Sequence, residues 1–291
     1  MQRSTSSSSV ETSCSVNSNR SASSQSTTST CGMSTISLHA SRYADDHYPL
    51  INTIHPEIVP DCVPKDHSVF YCARQMAQIH NTVIRGLNAS WNYAALVKTE
   101  TQQAADFLRF NQQLFTMLDH HHKVEDDFLF PAIESMLHRP GAMEENTKEH
   151  ASFAEGLAIF KKYIFQTKPS EFNGVTLQHI IESFAPTLVQ NLHDEIPMLM
   201  SLHVLDSAAL LKTWKKAGRR AAKHARLYTS GPLTLGCQDK TFTIDSAKPD
   251  FPEMSWLIEA VVRNWHSRKN AGAWVFCPSD LSGQRRQVTT V

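Results

Sequence analysis

Apolar residues recur every three or four positions along four long stretches between residue 67 and about residue 206. This spacing places apolar side chains on one face of a helix and predicts four amphipathic helices. The predicted helices span 67–97, 99–137 and 143–167, and the fourth begins near Thr176. Short segments such as Arg139-Pro140-Gly141 separate them. Long helices joined by short links favour an all-α, antiparallel up-and-down four-helix bundle.

The sequence before these helices has a different character. Residues 1–30 contain eighteen Ser or Thr residues and almost nothing apolar. Burial cannot offset the entropy lost when such a segment is ordered. We therefore predict a disordered Ser/Thr-rich head that continues, through a proline-containing linker of loop or disordered chain, to residue 66.

The section after the four helices, 207–291, predicts a smaller set of elements. A fifth helix is expected at 207–226, an amphipathic helix at 252–268, and a short aromatic stretch at Trp274-Val275-Phe276. The rest of this section reads as an irregular tail. We expect it to cap the bundle rather than to form a domain of its own, which gives three parts: 1–66, 67–206 and 207–291.

The predicted fifth helix is strongly basic. It has no acidic residue and seven basic ones: Lys212, Lys215, Lys216, Arg219, Arg220, Lys223 and Arg226. A solvated helix surface is the simpler interpretation of such a run. A surface for phosphate or for an acidic partner is the functional alternative.

The overall charge gives no global attraction to polyanions. Lys and Arg together number 28, as do Asp and Glu, so the formal net charge is zero. No run of eighteen apolar residues exists, so a membrane-spanning helix is not expected. We accordingly expect neither nucleic acid nor a membrane as a partner. The sequence does not identify a protein partner.

The cysteines indicate the cellular compartment. The six cysteines lie far apart and form no CxxC pair, which excludes a zinc-ribbon or thioredoxin pattern and gives no disulfide framework. Reduced thiols in the cytoplasm are the direct interpretation. The Ser/Thr-rich, acid-poor N-terminus with Arg3 and Arg20 also suits a mitochondrial transit peptide, although its apolar residues are sparse.

Candidate metal ligands lie on the apolar faces of the predicted helices. A single histidine there is usually a hydrogen-bonded core residue, but the first three helices each carry one: His80, His121 and His150. Glu125 follows His121 by four residues, and the fourth helix repeats this spacing with Asn191 and Glu195. Side chains four residues apart share a helix face and can converge on one ion. A cation would offset the cost of burying the carboxylates.

The donor types restrict the metal. Imidazole and carboxylate without thiolate suit iron or manganese, and zinc is a further option. A second pair on the second predicted helix, His122 and Asp126, has the same spacing as His121 and Glu125 and also lies on an apolar stripe. The spacing alone therefore leaves two candidate pairs on this helix.

These motifs resemble the hemerythrin-like, HHE cation-binding family over about residues 67–206. The matching elements are His80-Asn81, His121-His122-x-x-Glu125-Asp126 with Phe130-Pro131, Glu149-His150, and Leu192-His193-Asp194-Glu195-Ile196-Pro197. The tail, with Trp274, Phe276, Cys277-Pro278 and Gly283, is similar to that of some members. The resemblance implies a diiron or mononuclear non-haem iron centre between the helices, with terminal histidines and bridging carboxylates.

The resemblance also implies a ligand set. Carried over by position, the ligands are His80, His121, Glu125, His150 and Glu195, with His122 and Asp126 as the weaker pair. The family places a histidine where this chain has Asn191, whose amide oxygen is a poorer donor to Fe(II). The centre then holds two irons with one position left to water or Asn191, holds one metal, or has lost its metal and kept the fold.

Three functions follow from this reading. The first is an iron protein, not itself an enzyme, that binds or senses dioxygen, nitric oxide or iron. The second is a metal-dependent oxidoreductase that activates oxygen or peroxide, although no GxGxxG, Walker or GxSxG motif points to a further cofactor or nucleophile. The third is an interaction protein with a vestigial metal site.

Overall fold

The computed structural model describes residues 42–224 and 228–288. The predicted disorder of the Ser/Thr-rich head therefore lies outside the described residues, apart from the end of the linker. Within these two ranges the regular structure is helical, and β pairing is limited to isolated bridges such as Tyr43 with Gln287. The all-α prediction is confirmed for this part of the chain. No helix there is long and apolar enough to cross a membrane.

The helices follow the predicted order closely. The long ones are α1 (Ser68–Ala94), α2 (Gln102–Val124), α4 (Glu144–Gln166) and α5 (Gly174–Ser201). α2 continues through a π-helical turn (Glu125–Leu129) into the shorter α3 (Phe130–Leu137). The shorter ones are α6 (Ser207–His224), α7 (Ser230–Gly236), α8 (Trp256–Asn264) and α9 (Ala271–Trp274). The boundaries of the long helices lie within three residues of the predicted ones. α8 begins four residues later than predicted, because the Ser255 side chain caps it by accepting from the Ile258 N–H.

Four of these helices contact one another in a closed ring. α5 packs against α1 and α4, and α2 packs against the same two helices. Fully buried apolar side chains fill the space between them, including Ile84, Leu87, Phe110, Leu114, Phe160 and Phe184. Burial of each such side chain stabilises the fold by about 1.5–3 kcal/mol. Gly86 permits the close approach of α1 to α2, because a Cβ there would lie 2.5 Å from Cδ1 of Leu114.

The π-helical turn lies where proline disturbs the second long helix. Pro131 lacks an N–H and its ring clashes with the carbonyl four residues earlier, so a regular α-helix is disfavoured there. The helix instead widens just before it, and the Phe130 N–H donates to the Glu125 carbonyl five residues back. Widened turns of this kind are frequent at functional sites. The turn begins at Glu125, one of the predicted ligands.

The linker before α1 is folded where the structure describes it. Ile51 and Ile54 are buried, and the Asn81 side chain forms two hydrogen bonds of 2.8 Å with the backbone N–H and carbonyl of Ile51. Asn88 holds the backbone of Tyr48 in the same way. Residues 42–67 are therefore not disordered but form loop with one 3-10 helical turn at Pro56–Ile58.

The C-terminal section packs against the long helices. α9 contacts α2, and the buried Phe276 ring lies 4.8 Å from the Phe107 ring and 5.5 Å from that of Tyr93. An ionic network also joins it to the linker: Asp45 accepts from Arg85 of α1 and from Arg285. Burial lowers the pKa of Arg85, and Asp45 opposes that effect. The tail is thus continuous with the core.

Candidate metal centre

Side chains from all four long helices meet in the interior. α1 contributes His80, α4 contributes His150, and α5 contributes Asn191 and Glu195. His121 and His122 lie in the last turn of α2, and Glu125 is the first residue of the π-helical turn. His80, Glu125 and Glu195 are at most 1% exposed, and the others are buried or largely buried. The five side chains chosen from the sequence therefore converge, as required for a shared site.

The first group of donor atoms lies between α1, α2 and α5. Nε2 of His80 is 3.1 Å from Nε2 of His121 and 3.3 Å from Oε2 of Glu195. Nε2 of His121 is in turn 3.2 Å from Oε1 of Glu125. One donor atom from each of these four residues lies within 4.8 Å of every other. Four donors this close can surround one ion.

The second group lies towards α4 and shares a carboxylate with the first. It consists of His122, Glu125 and His150. Nε2 of His150 is 3.2 Å from Oε1 of Glu195 and 4.0 Å from Oε2 of Glu125. Each carboxylate therefore has one oxygen beside the first pair of imidazoles and the other oxygen on the His150 side. This is the arrangement that two carboxylates need in order to span two neighbouring ions.

The outer nitrogens of two imidazoles are held by hydrogen bonds. Nδ1 of His80 lies 2.7 Å from the backbone carbonyl of Leu192, so Nδ1 carries a proton and Nε2 faces the cluster. Nδ1 of His150 lies 2.9 Å from Oδ1 of Asp126. Such contacts fix the tautomer and the orientation of a ligating ring. Nε2 of each ring therefore faces the cluster, where it can bind a metal ion.

The titration of the cluster reflects its burial. Burial raises the pKa of Glu125 well above its usual value, and the nearby Glu195 carboxylate adds to that effect. Burial would also raise the pKa of Glu195, but contacts with His150 and His80 outweigh it and hold this pKa below its usual value. Burial lowers the pKa of His122 to about 3, with a further contribution from His150. Burial and the neighbouring His80 likewise lower the pKa of His121.

The residues fit a metal ion on the evidence of their unsatisfied atoms. Among the described residues, both carboxylate oxygens of Glu125, Oε2 of Glu195 and Nε2 of His122 are buried without a hydrogen-bond partner. A buried polar atom without a partner costs about 1–3 kcal/mol, and more if it is charged. A cation bound at about 2.1 Å places adjacent ligands about 3 Å apart, close to the spacings in this cluster. A bound cation would therefore satisfy these atoms together.

Asn191 occupies the position on α5 where a fourth imidazole was expected. Its Nδ2 donates to Oε2 of Glu149 at 3.1 Å and to Oε1 of Glu195 at 3.3 Å. Its Oδ1 is buried and has no hydrogen-bond partner within the described ranges. The amide thus faces the cluster and links it to Glu149, a half-buried residue of α4.

The structure changes the interpretation of the second pair on α2. His122 and Asp126 were an alternative to His121 and Glu125, but His122 is buried and joins the cluster beside His121. Asp126 stays outside it, with Oδ1 2.9 Å from the outer nitrogen of His150. Adjacent residues on a helix differ by about 100°, and the two histidines face different neighbours: His121 lies beside His80 of α1, whereas His122 lies beside His150 of α4. His193 points away, with Nε2 3.2 Å from the Pro49 carbonyl.

A buried set of imidazoles and carboxylates, drawn from four helices and without thiolate, defines a helical protein with a candidate metal site. Comparison with known proteins gives the family. Residues 73–195 match the family model described as the Hemerythrin HHE cation binding domain, a range that begins in α1 and ends at Glu195. The chain belongs to the hemerythrin HHE cation-binding domain family, and the resemblance of its motifs is confirmed.

A curated relative is similar over most of the chain. The two are 33% identical over 257 residues, which is 88% of this chain and 96% of the relative. That relative is "Dimeric xanthone biosynthesis cluster protein R11" of Cryptosporiopsis sp. (strain 8999). No solved structure gives a significant match to the chain. The similarity extends well beyond residues 73–195, so the relative shares most of the C-terminal section too.

Proposed function

We propose that this protein holds a non-haem diiron centre in an antiparallel up-and-down four-helix bundle, 67–206, and uses it to bind or sense dioxygen, nitric oxide or iron. The observation that carries the proposal is the placement of two buried carboxylates, each with one oxygen towards a different group of imidazoles. In this assignment the irons would be held by Glu125 and Glu195 together with His80 and His121 on one side and His122 and His150 on the other. The mixed nitrogen and oxygen donors suit iron or manganese, and the family resemblance favours iron.

Iron bound there would supply the redox and small-ligand chemistry of the site. The chain's own residues prepare that position. Leu192 and Asp126 orient the rings of His80 and His150 through their outer nitrogens. The rings of Phe130 and Phe153 lie 5.6 Å and 5.9 Å from that of His150 and help to keep water out. A dry interior of this kind suits a small, uncharged diatomic ligand.

The proposed location is the cytoplasm. Cys62, Cys72, Cys237 and Cys277 are free thiols. Cys14 and Cys31 lie outside the described residues. Free thiols fit a reducing compartment.

The substitution Asn191→His tests the diiron assignment. We expect it to raise iron retention after purification from an iron-replete host, towards two irons per chain, because imidazole is a better donor to Fe(II) than a neutral amide oxygen. Elemental analysis measures the ratio, and a visible absorption band that depends on dioxygen reports ligand binding. Gln190→His is the matched control, since it adds an imidazole at an exposed position one residue away.

Two results would contradict the proposal. If the unaltered protein contains no iron above background, the site is vestigial. That result would favour the third function, an interaction protein that has lost its metal. If Asn191→His and Gln190→His retain equal amounts of iron, the position of Asn191 next to Glu195 does not limit binding, and the assignment of that position is wrong.

The relative's name favours a second candidate function, a metal-dependent oxidoreductase in a biosynthetic step. That name refers to a cluster for dimeric xanthone biosynthesis. A carboxylate-bridged iron centre that activates oxygen or peroxide would suit such a role. Two surface clefts, one lined by Arg74 and Asp239 and the other by Tyr71 and Glu253, contain none of the cluster's side chains. Neither cleft would bring a substrate into contact with the cluster.

An assay of peroxide consumption checks this second candidate. Hydrogen peroxide takes two electrons and two protons to form two waters, and ascorbate in the assay supplies both. We expect consumption by the iron-loaded protein to fall to background in His80→Ala, because that variant loses a buried donor atom of the cluster. His179→Ala, which alters an exposed histidine of α5, should keep the full rate. Equal rates in both variants would eliminate the oxidoreductase.

A further inference from the structure

Two fully buried thiols lie side by side where α7 meets the segment that follows α9. Cys237 comes directly after the last residue of α7, and Cys277 lies three residues beyond the end of α9. The Cys237 side chain forms a hydrogen bond with that of Cys277, and neither residue has any exposed surface. Their positions in the sequence differ by forty. Packing between remote segments therefore holds the two thiols in contact.

Gly236, the last residue of α7, makes room for this pair. A Cβ at that position would lie 2.5 Å from Sγ of Cys277 and 2.6 Å from its Cβ, which is too close for any other residue. The Gly236 carbonyl also accepts from the Ser279 N–H at 2.9 Å. The N–H groups of Cys237 and Cys277 donate to carbonyls of the helices that precede them. The backbone is thus fixed on both sides of the pair.

The surface cleft beside Arg74 and Asp239 leads to one of the two thiols. Cys237 is among the residues that line it, as are Arg85 and Lys248. The space within this cleft is about 20 Å³, which is room for roughly one molecule of the size of water. Hydrogen peroxide is close to water in size, whereas glutathione disulfide is far larger. The cleft therefore favours a peroxide as the oxidant that reaches Cys237.

The other two cysteines that the structure describes have different surroundings. Cys62 is exposed, and Cys72 is buried in α1. Burial raises the pKa of the Cys72 thiol to about 12, whereas the pKa of Cys237 is raised first by its contact with Cys277 and then by burial. Because the thiolate is the form that attacks peroxide, a protonated Cys237 reacts more slowly than an exposed thiol. The contact between the pair instead determines which product forms.

We propose that Cys237 and Cys277 are a modification site, a dithiol that hydrogen peroxide converts to a disulfide between α7 and the C-terminal segment. One thiol loses its proton, and its sulfur displaces hydroxide from the peroxide to become a sulfenic acid. The released proton and hydroxide form water. The second thiol then displaces water from the sulfenic acid, which forms the S–S bond. Two thiols and one peroxide thus give one disulfide and two waters.

The disulfide fastens the end of the chain to the rest of the fold. Phe276, next to Cys277, is buried in the core of the four long helices. A cross-link between positions 237 and 277 closes a loop of about forty residues and restricts the unfolded chain, which stabilises the folded one. In a reducing compartment the pair stays as thiols until peroxide accumulates. The oxidised protein therefore resists unfolding more than the reduced protein.

Treatment of the full chain with hydrogen peroxide, well below its melting temperature, tests the proposal. The remaining thiols are alkylated in denaturant, and the peptides are mapped by mass spectrometry. We expect a cross-linked peptide that joins Cys237 to Cys277 and a rise of at least about 4 °C in the melting temperature, both reversed by dithiothreitol. Cys237→Ala should abolish both changes. Cys72→Ala, which removes another buried thiol, is the matched control and should keep both.

Three results would overturn the proposal: no cross-link between the two cysteines, a cross-link of either one mainly to a different cysteine, or equal melting temperatures of the reduced and oxidised protein. Circular dichroism shows whether each variant folds, and Cys277→Ser, which nearly preserves the size of the side chain, gives a second test that leaves no cavity. Removal of the metal by a chelator should not prevent the cross-link, because neither cysteine belongs to the cluster. The result is therefore independent of the proposed iron centre.

Discussion

Replacing Glu195 by Ala is expected to reduce iron content to below about a tenth of that of the unaltered protein. The Glu195 carboxylate is fully buried and contacts Nε2 of both His80 and His150, one through each oxygen. Its loss removes a negative charge and a donor from both groups of the proposed centre at once. Removal of one partner from a buried charged cluster typically costs about 3–5 kcal/mol, which corresponds to a factor of roughly a hundred to a few thousand in affinity.

Asp194→Ala provides the matched control for this substitution. Asp194 is the adjacent residue of α5, but its carboxylate is exposed and accepts only from Gln190 in the described structure. We expect it to retain the full iron content. Elemental analysis gives the comparison, and thermal melting followed by circular dichroism shows whether both variants fold. Should Glu195→Ala keep as much iron as Asp194→Ala, Glu195 is not a ligand and the bridged centre is untenable.

Replacing Phe276 by Ala should destabilise the whole helical unit by about 3–5 kcal/mol. Phe276 is fully buried although it lies more than 70 residues beyond α5, and its ring contacts those of Tyr93, Phe107 and Phe110. Truncation leaves a cavity between α1 and α2 and removes aromatic contacts. For a domain of this size the loss corresponds to a fall of roughly 6–20 °C in the melting temperature.

Val275→Ala is the control, since its side chain is adjacent in sequence and 46% exposed. It should change the stability by less than about 0.5 kcal/mol. Urea denaturation, with the unfolding free energies compared for the two variants, provides the measurement. Equal stabilities would mean that the C-terminal section is a separable appendage and that its aromatic residues contribute nothing to the core of the four helices.

The periodicity of the sequence determined the long helices and most of their chemistry. An amphipathic helix must repeat its apolar positions every three or four residues, so α1, α4 and α5 could be located to within three residues. The same rule put the candidate donors on buried faces. His80, His150 and Glu195 could be chosen because each is a polar side chain at a position that the pattern reserves for apolar ones.

Only the tertiary structure decided how the helices are rotated and how remote segments pack. It placed His122 in the cluster and Asp126 outside it, because that outcome depends on the directions from which α1 and α4 approach α2. It brought Phe276 into the core. Local spacing fixes the relation between residues one turn apart, whereas the distance between elements is fixed by packing across the whole chain.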